Sequence, residues 1–109
     1  MEIEVSTRHQ PVAEDLRAYA HKKAERLLRY FNLIQRIRVV LDVRGEGACC
    51  EIIAEIEHAP DCVAQECSND MRASIDAALD KLERQLVQHK DRVRDRKGRG
   101  PNPHQPTVV

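Results

Sequence analysis

Residues 36–57 read RIRVVLDVRGEGACCEIIAEIE, and the fold turns on how this stretch is read. Ile37, Val39, Leu41 and Val43 alternate with Arg36, Arg38, Val40 and Asp42. After a short interruption, Cys50, Ile52, Ala54 and Ile56 alternate with Cys49, Glu51, Ile53, Glu55 and Glu57. A period of two sends successive side chains to opposite sides of a strand, so each run carries one apolar row and one mostly charged row. That is the pattern of half-buried antiparallel strands. Arg44-Gly45-Glu46-Gly47 forms the turn between them, with glycines to supply positive φ at little steric cost. The apolar rows then need a second layer to cover them.

Working outward, Ile3 and Val5 alternate with Glu2, Glu4 and Ser6 as a short first strand. Pro11 opens a helix at its tolerated first-turn position, with Glu14 and Asp15 near the positive end of the dipole. Its stripe is Leu16, Ala20, Ala24, Leu27 and Phe31, while Arg17, Lys22, Lys23, Arg26 and Arg29 lie mostly on other faces; Asn32 ends it. On the other side, Pro60-Asp61 turns the chain into a strand from Cys62 to Cys67. Ser68 or Asn69 then caps a long helix over 69–97, whose stripe is Met71, Ile75, Ala78, Leu79, Leu82, Leu86 and Val93.

The order β-α-β-β-β-α predicts a two-layer α+β sandwich with a four-stranded mixed sheet. The first strand reaches its neighbour through a helix and pairs parallel by a right-handed crossover, and the hairpin strands pair antiparallel. Both helices bury their stripes on one face of the sheet and leave the other solvated. At about 1.5 Å per residue the second helix runs roughly 40 Å, against about 20–27 Å for strands of six to eight residues. Its last turns therefore overhang, and Lys90, Arg92, Arg94, Arg96 and Lys97 occupy a projecting arm. The chain reads as one domain over 1–97 and a disordered, proline-rich tail over 98–109.

Lysine plus arginine equals aspartate plus glutamate, 18 of each, which by itself points to no polyanionic partner. The distribution points elsewhere. Residues 1–41 carry eight basic and five acidic side chains, residues 42–70 one and eight, and residues 71–109 nine and five. Basic helices set against an acidic middle suit nucleic acid on one face. The chain has two tyrosines, one phenylalanine and no tryptophan. Tyr19, Tyr30 and Phe31 all fall on the first helix, where core packing is expected of them. Readers of unpaired bases usually stack them on exposed rings, so recognition of structured RNA by shape and phosphate position fits better.

Other functions find less support. No nucleophile, acid–base pair or phosphate loop is recognisable, so no enzyme, catalytic residue, cofactor or small-molecule substrate is expected. Cys49, Cys50, Cys62 and Cys67 lack paired CxxC spacing; adjacent Cys49 and Cys50 point to opposite faces, and small buried or half-buried thiols are expected rather than a metal site. No apolar run reaches ten residues and the N-terminus lacks a signal pattern, so a cytoplasmic protein without membrane contact is expected.

Several segments together resemble the ribosome hibernation-promoting factors, also called ribosome-associated inhibitors or sigma-54 modulation proteins. They are Asp70-Met71, Ala73 to Asp76, Asp80 to Leu86 and His89 to Asp91, with weaker likeness at Leu16-Arg17, Lys23, Arg26-Leu27, Tyr30-Phe31 and Val39 to Leu41. The resemblance implies a domain shaped like a double-stranded-RNA-binding domain that sits in the messenger and transfer RNA channel of the small ribosomal subunit. There it contacts 16S ribosomal RNA and inactivates ribosomes under stress, on 70S or dimerised particles as well as on 30S. Carried over by position, the RNA-binding cations are Lys23, Arg26, Lys81, Arg84, Lys90 and Arg92, and this chain adds Arg94, Arg96 and Lys97. Gln88, Arg72 and Asp42 depart from the family's lysine, tyrosine and basic residue. The second domain with which longer members pair ribosomes has no counterpart in this sequence. A general double-stranded-RNA-binding module and a sigma-factor-type regulator are the competing expectations.

Overall fold

The computed structural model describes residues 2–98, with side chains through His89. Six elements follow in the expected order: β1 (Glu2–Arg8), α1 (Glu14–Tyr30), β2 (Ile34–Arg44), β3 (Gly47–Ile56), β4 (Cys62–Ser68) and α2 (Met71–Gly98). The sheet order is β1-β2-β3-β4. β1 pairs parallel with β2, and both remaining pairs are antiparallel. This is the predicted two-layer α+β sandwich. α1 lies over β1 and β2, and α2 over β3 and β4.

Alternation decides which rows are buried. Ile37, Val39 and Leu41 of β2 and Cys50, Ile52 and Ala54 of β3 are at most 1% exposed and face the helices. Ile34 is also buried, although its spacing of three from Ile37 breaks the period. A register shift between Ile34 and Arg36 absorbs the extra residue, as a bulge does. From the helices come Ala20, Ala24 and Leu27, with Leu16 and Phe31 half-buried against them, and Met71, Ile75, Ala78, Leu79, Leu82 and Leu86; the side chain of Val93, last in the predicted stripe, lies outside the described residues. Alanines at 20 and 24 let α1 approach the sheet closely.

Local chemistry sets the element ends. Gly45 takes φ +55° in the hairpin turn, where a Cβ would meet nothing within 4 Å, so the dihedral and not crowding calls for glycine. Gly47, expected to share that role, is not in the left-handed region. Pro11 lies three residues ahead of α1, whose N-cap is Ala13 without a side-chain cap. α1 stops at Tyr30 with Phe31 as C-cap, one residue before the expected Asn32. α2 is capped by Asp70, whose Oδ2 accepts from the Ala73 backbone N–H at 3.0 Å. Ser68, one of the two residues expected there, supports the cap from outside. Its Oγ accepts from Asp70 N and lies 2.7 Å from Ser74 Oγ, which donates to the Ala48 carbonyl at 2.6 Å. A buried serine in α2 is thus satisfied by the strand beneath it.

The cysteines depart from expectation. Cys49 and Cys50 do point to opposite faces, but Cys49 is paired in register with Cys67 on β4 and joined to it by a disulfide, with Cα atoms 4.0 Å apart. Two thiols expected to be separate thus form a cross-strand bond on the helix-free face. Cys50 is in the core, where burial pushes its thiol up to about 12. Among the described residues no helix is long and apolar enough to cross a membrane.

Candidate nucleic-acid interface

α1 and α2 run side by side in the same direction, as their facing pairs show: Tyr19 meets Asp76, and Leu27 lies near Leu79. The centre of the seam is Tyr19. Its hydroxyl donates to Asp76 Oδ1 at 2.6 Å. That hydrogen bond, helped by burial, raises the phenol's pKa. Arg72 stacks over the ring at 4.4 Å from its centroid, and Lys23 Nζ lies 5.4 Å from the same centroid and 3.9 Å from Asp76. Arg72 adds a second cation to this cluster.

The sequence-predicted cations separate into two kinds. Lys23 and Lys81 are engaged: Lys23 with Asp76, and Lys81 with Glu66 of β4 at 3.2 Å. Arg26 and Arg84 are exposed, and no ion pair holds either among the described residues. An unpaired guanidinium keeps its planar fork for a bidentate phosphate contact. Arg26 borders a cleft of about 380 Å³ between the helices, and Arg84 lies on the outer side of α2 with Val87 and Gln88. Leu86 is the last core side chain that α2 contributes among the described residues, and the backbone stays helical to Gly98. Lys90, Arg92, Arg94, Arg96 and Lys97 are on that extension, with side chains outside the described residues, as is the expected tail beyond Gly98.

The opposite face differs in charge. Arg36 lies within 4.0 Å of carboxylate oxygens of Glu2, Glu4 and Glu55, and Arg38 Nε is 3.2 Å from Glu55. These partners neutralise the strand arginines in place. At the sheet end, Asp42 is within 2.7 Å of His9 Nδ1 and 3.4 Å of Arg44. The His9 hydrogen bond, reinforced by the nearby Arg44 and Arg8, holds the Asp42 carboxyl below its usual range despite burial. His9 reaches it from the left-handed region, at φ 69°, where β1 ends. Arg36 and Arg38 on the strands are thus paired, whereas Arg26 and Arg84 on the helices have no ion pair among the described residues.

Sequence reasoning missed two features of the helix face. Arg72 was marked only as a departure from the family resemblance, and its place over the Tyr19 ring was not foreseen. Tyr30 was expected to pack in the core, yet it is 69% exposed at the end of α1. Tyr19 and Phe31 are half-buried against the core, as expected.

The family model described as "Sigma 54 modulation protein / S30EA ribosomal protein" matches residues 3–94, and the chain belongs to this family. It is 33% identical over 96 residues to the ribosome hibernation promoting factor of Azotobacter vinelandii, covering 88% of this chain and 89% of that one. It is 30% identical to the factor of the same name from Escherichia coli K12 over 94 residues, covering 86% and 98%. Among solved structures, the N-terminal domain of Thermus thermophilus Protein Y superposes with a TM-score of 0.72 at 31% identity, covering 82% of this chain and 99% of that one. A ribosomal subunit interface protein from Coxiella burnetii gives 0.76 at 23% identity, covering 84% and 99%, a likeness of fold.

Proposed function

We propose that this protein is a cytoplasmic ribosome hibernation factor that binds 16S ribosomal RNA in the messenger and transfer RNA channel of the small subunit and inactivates the ribosome by occupancy. The observation that carries the reading is the division of charge. Among the described residues no ion pair holds Arg26 or Arg84 on the helical face, and α2 continues into the basic stretch 90–97, while Arg36 and Arg38 on the sheet face are held by carboxylates. Phosphates are attracted to the first surface and gain little from the second. Occupancy needs no chemistry. Relatives named as ribosome hibernation promoting factors favour the ribosome over a general duplex-RNA target.

Sucrose-gradient sedimentation separates the two. The protein is expected to co-migrate with 30S or 70S particles in low salt and to dissociate steeply as salt rises, because several phosphate contacts release counterions together. Comigration with isolated RNA duplexes and not with ribosomal particles would favour the general module.

A further inference from the structure

Tyr30 is 69% exposed, in a chain with only two tyrosines and one phenylalanine. Its ring borders two hollows at once. One is the interhelical cleft with Arg26 and Glu83; the other is a smaller apolar notch of about 130 Å³ floored by Ile34, Ile56 and Leu86. Helical spacing places Lys23, Arg26 and Tyr30 along one side of α1, at steps of three and four. An aromatic surface is thus flanked by apolar floor on one side and, on the other, by a cleft whose α1 wall carries Lys23 and Arg26 and whose α2 wall carries Asp76, Asp80 and Glu83.

We infer that Tyr30 is a stacking platform for an unpaired nucleobase of RNA, with the phosphate of the same nucleotide held at Arg26. The inference rests on the proposed reading of the helix face as the RNA-binding surface and names a ligand class within it. Each part of a nucleotide finds its chemistry there. The base has a π-face for the phenol ring, and its far edge meets the apolar notch. The phosphate needs a cation with spare donors, which Arg26 supplies and ion-paired Lys23 supplies less well. Asp80 and Glu83 on the α2 wall repel a phosphate from inside the cleft, which fixes the orientation with the base inward and the phosphate on the rim. Recognition by phosphate position alone would leave this ring without a task.

Binding of Tyr30→Leu and Tyr30→Phe to purified 30S subunits tests the idea, since the side chain is exposed and neither change threatens the fold. Leucine is expected to weaken binding roughly 5- to 150-fold, the range for losing one base–aromatic stack, while phenylalanine stays within about threefold of wild type. The slope of log affinity against log salt should be unchanged in both, because no phosphate contact is lost. Leucine indistinguishable from wild type would overturn the inference, as would a leucine defect that phenylalanine fails to rescue. A wild-type protein that ignores 30S subunits would instead defeat the parent reading. Stacking is then read directly from tyrosine emission with a mixed-sequence single-stranded RNA decamer. Quenching that disappears in Tyr30→Phe sustains the platform, and no Tyr30-dependent quenching sinks it.

Discussion

Arg26→Glu combined with Arg84→Glu is expected to reduce affinity for the small subunit about a hundredfold or more. A hydrogen bond to a charged group contributes about 1.5–3 kcal/mol, so two lost contacts multiply to that range before the added repulsion is counted. The salt slope should also fall by about two, one for each phosphate no longer engaged. These two arginines are chosen because no ion pair holds either of them among the described residues. Lys23 and Lys81 already face Asp76 and Glu66, and reversing them should cost less binding. Both arginines are exposed, so the circular dichroism spectrum should not change. Full retention of binding at moderate salt would refute the assignment.

Reducing the Cys49–Cys67 bond is expected to lower the melting temperature by roughly 10–20 °C. Closing a loop of this length stabilises by about 2–4 kcal/mol in the chain-entropy account. In a domain of this size each kcal/mol moves the midpoint by about 4–8 °C. The bond joins directly opposed residues of β3 and β4, with a sequence separation of 18, and so fastens the edge strand to the sheet. Cys50 does not exchange into it, being buried on the other face with its thiol pushed up to about 12. Thermal melts with and without dithiothreitol measure the effect, and superimposable curves would contradict it. The disulfide is on the helix-free face, so ribosome binding well below the melting range should be the same in both forms.

What could be read from the sequence was whatever repeats locally. The period of two in residues 36–57 decided the sheet face, and steps of three and four decided the helix stripes. Features that depend on one residue more or less were not readable. Ile34 joins the core only through a bulge, which breaks the period that would reveal it. At the end of α1 the stripe from Leu27 can continue to Tyr30 by a step of three or to Phe31 by a step of four. The chain buries more of Phe31 and leaves Tyr30 outside, and no local rule decides between them. Ser68, Asn69 and Asp70 are all competent caps, and the choice of Asp70 follows from where β4 ends.

The candidate site was legible as charge and not as geometry. Arg26 and Lys23 look alike in sequence, and only the packing of α1 against α2 brings Asp76 to one of them. Pairing of Cys49 with Cys67 depends on the register that the 57–61 connection imposes. A one-residue slip would place Cys67 opposite a neighbour on the other face. Arg72 was visible as a departure from the family pattern, but its stacking on Tyr19 required the two helices to be placed.

The central claim is that the face formed by α1 and α2 binds the RNA of the small subunit while the sheet face stays outside. An electron-microscopy reconstruction of ribosomes saturated with the protein tests it most directly. Density is expected in the messenger and transfer RNA channel, with Arg26, Tyr30 and Arg84 against 16S ribosomal RNA and the face carrying Arg36, Glu55 and the disulfide turned away. Density outside the channel, or the sheet face seated on the RNA, would contradict it.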